Sequence, residues 1–103
     1  MFCIPFGKPL IGSEEKKELN NVLNGTILTH GPKCLEFEKD FARYIGVKHA
    51  ITTSNCTTAL HLSLEAFDIK RGDEVIVPAM THVATAHVVE HCGAKPKFVD
   101  ICT

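Results

Sequence analysis

The chain lacks the features that mark several large classes of protein. It has no excess of charge of either sign: 11 Lys and Arg face 12 Asp and Glu, for a net charge of −1 with His neutral. The two signs are interspersed, so no basic stripe offers itself to nucleic acid or to an anionic membrane surface. No apolar run is long enough to span a bilayer. The Met1-Phe2-Cys3-Ile4-Pro5 start has neither the basic n-region nor the apolar h-region of a signal peptide. There is no CxxC, and the cysteines (Cys3, Cys34, Cys56, Cys92, Cys102) are odd in number and irregular in spacing. A disulfide framework is therefore not expected, and reduced thiols in a cytoplasmic protein fit better. Internal repeats, low-complexity stretches and interdomain linkers are absent too.

What is present is ordinary globular composition, with 45% apolar and 22% charged residues in 103, and an ordered set of local signals. Residues 1–11 read as extended, held so by Pro5, Gly7 and Pro9. Ser13 reads as an N-cap followed by Glu14 and Glu15, with Leu19, Val22 and Leu23 as an i, i+3, i+4 stripe and Gly25 as the stop. Pro32 opens a second helix, on which Cys34, Phe37, Phe41, Tyr44 and Ile45 share a face, and Gly46 closes it. The spacing then predicts a first strand over 49–53, a helix over 57–67 with Leu60, Leu64 and Phe67 inward, a turn over 68–73 and a buried strand over 74–77. A helix over 81–91 and a strand over 95–100 follow. This β-α-β-α-β alternation argues for an open α/β sheet with mostly parallel strands.

Chemistry concentrates at two turns. In Thr53-Ser54-Asn55-Cys56-Thr57-Thr58, small hydroxyl residues separate an apolar run from a helix. Such a turn aims backbone N–H groups and the positive end of a helix dipole at one point, which suits a phosphate. The same pattern serves as a plain helix cap in proteins with no ligand there. Cys56 at a helix start could also be read as an activated thiol, but nothing nearby reads as its general base. His82 stands just after a strand and at the opening of a helix, the edge where α/β sheets bind ligands. His82, His87, His91 and Cys92 invite a zinc reading, since His87 and His91 lie i, i+4. His82 and Cys92 fall off that face, however, and no metal site is expected. Asp73 and Glu74 read as turn chemistry, and Asp100 as structural.

The segments Gly72-Asp73-Glu74-Val75-Ile76-Val77-Pro78-Ala79-Met80-Thr81-His82-Val83-Ala84-Thr85-Ala86 and Gly93-Ala94-Lys95-Pro96-Lys97-Phe98-Val99-Asp100-Ile101 make the pattern specific. With Ile4-Pro5-Phe6-Gly7 and Ile27-Leu28-Thr29-His30-Gly31-Pro32 before them, they resemble the N-terminal part of the DegT/DnrJ/EryC1/StrS sugar aminotransferases. The resemblance covers nearly the whole chain. It implies the aspartate-aminotransferase-like fold (type I of the pyridoxal-phosphate enzymes), with residues 1–48 as an arm and helices and 49–103 as the first three β/α units of the cofactor-binding large domain. It implies pyridoxal 5′-phosphate as cofactor, with Cys56, Thr57 and Thr58 at its phosphate and His82 stacked on its pyridine ring. Thr58 is bulkier than the family's usual Ala there.

The same resemblance implies a nucleotide-sugar substrate, an amino donor (usually glutamate) and a homodimer. The family's cofactor-holding lysine lies beyond Thr103, so no residue here is assigned a catalytic role. Family members are several times longer, and a fragment that is inactive alone is expected. Two other functions stay open: a pyridoxamine-phosphate-dependent sugar dehydratase of the same family, and a non-catalytic metal-binding or interaction module on the histidine-bearing helix.

Overall fold

A computed structural model describes residues 5–100. It packs as two compact units that divide between Thr52 and Thr53.

The first unit holds α1 (Ser13–Leu23) and α2 (Pro32–Ile45). Gly12, not Ser13, is the N-cap of α1; Glu15 reaches back, and its Oε2 accepts the Gly12 N–H at 2.6 Å. Hydrogen bonds from its own backbone N–H and then from the Gly12 N–H lower the Glu15 pKa, as expected for an acid in the first turn of a helix. Pro32 opens α2 after Gly31, and Gly46 closes it at φ +81°, a conformation natural to glycine. The apolar face read from the α2 sequence lies open: Phe37, Phe41, Tyr44 and Ile45 are all exposed, and only Ala42 is buried. Periodicity identifies such a face but says nothing of what covers it.

Residues 49–53 form no strand, which corrects the first of the three strands expected. A strand needs a ladder partner, and among the described residues this segment has none. Its backbone is satisfied by a side chain instead. Glu38 Oε1 accepts both the Thr52 N–H and the Thr52 hydroxyl, each at 2.8 Å. These bonds hold the Glu38 carboxyl below its ordinary pKa.

The second unit is α3 (Cys56–Ala66), β1 (Glu74–Pro78), α4 (Ala84–His91) and β2 (Lys95–Val99). The two strands pair in parallel with Glu74 opposite Lys95 and Val77 opposite Phe98. α4 is thus the crossover of a β-α-β unit. The helix expected from Thr81 begins three residues later, because residues 79–83 form a loop. Phe67, read as inward, is 80% exposed just past α3, and Phe98 and Val99 on β2 are exposed as well. Ile101, Cys102 and Thr103, like residues 1–4, lie outside the described residues.

The core consists of Val77, Val89 and Ala94, with Leu64, Ile69, Val75 and Ala86 packed against it. α4 therefore touches α3 and both strands, which fixes where the loop before it emerges. The 68–73 turn behaves as expected: the Asp73 carboxylate accepts the Lys70 N–H at 2.9 Å, and Gly72 takes φ +103°.

Candidate cofactor site

Asn55 organises the start of α3. Its backbone is extended, and its Oδ1 accepts both the Thr58 N–H at 2.9 Å and the Thr58 hydroxyl at 3.1 Å. Its carbonyl accepts the Ala59 N–H. One orphan donor at this helix start, the Thr58 N–H, is thereby used, and the Ala59 bond begins the regular helical ladder. The N–H groups of Cys56 and Thr57 meet no acceptor among the described residues, and both residues are exposed. The Thr57 hydroxyl is likewise unengaged there. Thr53 donates its hydroxyl to the Asn55 carbonyl at 3.1 Å, which braces the turn before the cap.

The structure thus separates three residues that the sequence groups together. Cys56 and Thr57 have open backbone donors, and Thr57 adds an unengaged hydroxyl. Thr58 is held by the cap, so its part is to fix the loop. Asn55 is the residue whose role the sequence reading passed over. The signal was available: Asn is among the best N-cap residues, and it stands three positions before Thr58.

His82 lies in the loop between β1 and α4. Its Nδ1 accepts the Ala84 N–H at 3.2 Å, and its carbonyl accepts the Thr85 N–H at 2.9 Å. The ring is therefore oriented by the start of α4 while remaining exposed. An acceptor Nδ1 places the ring proton on Nε2. Among the described residues, no hydrogen bond, ion pair or ring contact joins His82 to residues 56–58. Any shared ligand would have to bridge them.

The histidines grouped by the zinc reading are not gathered. His87 and His91 are tilted rings 6.4 Å apart, and His82 stands away on the loop. His91 instead meets His61 edge-on at 5.7 Å, at the end of α3 and α4 where Glu65 and Cys92 also lie. Burial, then the Glu65 charge and hydrogen bonding, push the Cys92 thiol above its ordinary pKa.

The second unit is thus a parallel β-α-β element with open backbone donors at the start of the helix before it. Over residues 9–103 the chain matches the DegT/DnrJ/EryC1/StrS aminotransferase family, and it belongs to that family. It is 46% identical over 98 residues to the spore coat polysaccharide biosynthesis protein SpsC of Bacillus subtilis, covering 95% of this chain and 25% of that protein. The putative sugar aminotransferase Spr1654 of Streptococcus pneumoniae, solved in its PLP form, superposes with a TM-score of 0.93 at 39% identity. That match covers 98% of this chain and 26% of the other. The E. coli GDP-4-keto-6-deoxy-D-mannose-3-dehydratase with bound hydrated PLP superposes at 0.90 with 31% identity, covering 99% of this chain and 28% of the other. The chain spans about a quarter of the length of the relatives it matches. These neighbours show fold type I architecture for the present α/β unit, and pyridoxal 5′-phosphate as the family's cofactor.

Proposed function

We propose that this chain is the N-terminal part of a PLP-dependent aminotransferase that moves an amino group, from glutamate, to a keto-sugar nucleotide in surface-polysaccharide biosynthesis. The observation that carries the reading is the near-complete superposition on a sugar aminotransferase in its PLP form. The residues present fit the cofactor: a dianionic phosphate needs donors, and Cys56 and Thr57 offer unpaired N–H groups at the positive end of a helix. When bound, the pyridine ring supplies an electron sink for the carbanion formed as the amino group moves. This chain's residues bind and orient. Cys56 and Thr57 hold the phosphate, Asn55 and Thr58 keep the loop in shape, and the His82 ring lies against the pyridine face. The complete protein acts as a cytoplasmic homodimer, and the isolated chain is inactive.

A second reading is a sugar dehydratase, favoured by the dehydratase superposition. The experiment uses the complete polypeptide, loaded with cofactor and given glutamate with keto-sugar nucleotides. The aminotransferase yields a nucleotide sugar carrying a new amine and converts glutamate to 2-oxoglutarate. A product that loses water and gains no nitrogen selects the dehydratase. Failure to bind cofactor defeats both.

His82 has two functions in this reading, and two substitutions separate them. His82→Phe keeps a flat ring but loses the acceptor for the Ala84 N–H. His82→Asn keeps an acceptor at the helix start but loses the ring. Cofactor affinity is expected to persist in His82→Phe and to fall in His82→Asn by up to about tenfold, the worth of a stacking contact of roughly 0.5–1.5 kcal/mol. Thermal stability should follow the opposite order, since losing a hydrogen bond to the helix start costs about 0.5–1.5 kcal/mol. Equal affinity in all three proteins, measured by equilibrium dialysis, removes His82 from the cofactor.

A further inference from the structure

We propose that His61, Glu65 and Cys92 form a binding site for a zinc-class divalent cation, where the C-terminal ends of α3 and α4 meet. The site is independent of the cofactor reading. It uses neither the start of α3 nor the loop carrying His82.

His61 and Glu65 lie one helical turn apart, so both side chains project from the same side of α3. Cys92 caps the far end of α4. The packing of α4 on α3 brings the three ligand atoms within 4.8 Å of one another. His61 Nε2 and Glu65 Oε1 are 3.4 Å apart. Bond lengths of about 2.0–2.3 Å around a tetrahedral zinc put its ligand atoms roughly 3.3–3.8 Å from each other. The His–Glu edge already has that length, and rotation of the Cys92 and Glu65 side chains closes the rest.

A second observation points the same way. His61 Nε2 is fully buried and has no hydrogen-bond partner among the described residues. It lies near Glu65 by distance but lacks the alignment of a hydrogen bond. Buried polar atoms are almost always satisfied, so an orphaned imidazole nitrogen facing a carboxylate and a thiol marks a missing partner. A bound cation supplies it. The edge-on packing of His91 against His61 limits rotation of the ligand ring.

The donor set selects the ion. One imidazole, one carboxylate and one thiolate suit Zn²⁺ or Co²⁺, whereas Ca²⁺ and Mg²⁺ prefer oxygen alone. A thiolate and a carboxylate balance the two positive charges, so the occupied site is neutral. The Cys92 thiol gives up its proton to solvent as the sulfur–metal bond forms. Three protein ligands leave a fourth position to water. The ion ties α3 to α4.

The test is a Co²⁺ titration of the complete protein after chelation and dialysis. The expected result is a thiolate-to-cobalt charge-transfer band with intense four-coordinate visible bands, saturating at about one equivalent per chain and bleached by Zn²⁺. Cys92→Ser abolishes the charge-transfer band. Glu65→Gln, at an exposed helix position with no expected effect on circular dichroism, weakens Co²⁺ binding by at least about tenfold. Cys34→Ser leaves the spectrum unchanged, since Cys34 is an exposed thiol on α2. A wild-type protein that shows no such bands overturns the proposal, as does a charge-transfer band that survives Cys92→Ser.

Discussion

A Thr57→Asp variant of the complete protein should emerge from dialysis without cofactor, while Thr57→Ala retains most of it. In the structure the Thr57 N–H is open at the second position of α3, and its hydroxyl has no partner among the described residues. A phosphate seated there is met by the Cys56 and Thr57 N–H groups, with the hydroxyl as a further donor. Removing the hydroxyl costs roughly 1.5–3 kcal/mol at most, the worth of a hydrogen bond to a charged group. Placing a carboxylate there sets like charges about 4 Å apart. At an effective dielectric near 20 this opposes binding by about 4 kcal/mol per pair of unit charges, roughly a thousandfold in affinity. The two substitutions are matched in one useful respect. An Asp in the first turn of a helix favours the dipole, so Thr57→Asp should fold at least as well as Thr57→Ala. Lost cofactor absorbance then reports binding and not unfolding. If Thr57→Asp holds cofactor as tightly as Thr57→Ala, the phosphate does not sit at α3.

Local signals carried much of this architecture. The glycine stop at Gly46 lies where positive φ was needed, at +81°, whereas Gly25 takes no positive φ and follows an α1 that is closed by Asn24. Pro32 opens α2 as its position in the sequence implied. Strand β1 and helix α4 were legible because Val75, Val77, Val88 and Val89 stand between turn residues. The segment 49–53 was misread because its composition favours a strand, while a strand exists only through a partner elsewhere in the chain. Apolar periodicity marked the α2 face correctly, yet whether Phe37 and Phe41 are covered depends on what packs against them. The candidate site divides the same way. The capped turn from Thr53 to Thr58 was legible, since capping is local. The distinction between open donors at Cys56 and Thr57 and a committed one at Thr58 needed the Asn55 rotamer. His61, Glu65 and Cys92 could not be grouped from spacing, because the packing of α4 on α3 makes them neighbours.

The second large effect is on the fold itself. Val89→Asp should unfold the β-α-β unit, whereas Val83→Asp should not. Val89 is 1% exposed and stands among Val77, Ala94, Leu64, Ile69, Val75 and Ala86, with no polar partner in that cluster. Replacing it removes about 1.5–3 kcal/mol of apolar burial and introduces a carboxyl group that must either pay several kcal/mol of desolvation as an anion or fold in its protonated form. Native domains have only about 5–15 kcal/mol in total, so this loss consumes most of the margin. The protonated route makes a further expectation: whatever structure Val89→Asp retains should be greater in mild acid than at neutral pH. The buried Asp has a folded-state pKa raised above its unfolded value, so its penalty grows as pH climbs past the unfolded value. Val89→Ala provides the graded case, with a loss of about 2 kcal/mol from the cavity alone. Val83 is 59% exposed at the N-cap of α4, where a carboxylate suits the helix start, so Val83→Asp should match the wild type or exceed it slightly. Urea unfolding followed by circular dichroism distinguishes these cases. Wild-type stability in Val89→Asp would mean that α4 does not pack on the strands through Val89, and the position of the His82 loop before it would have to be drawn again.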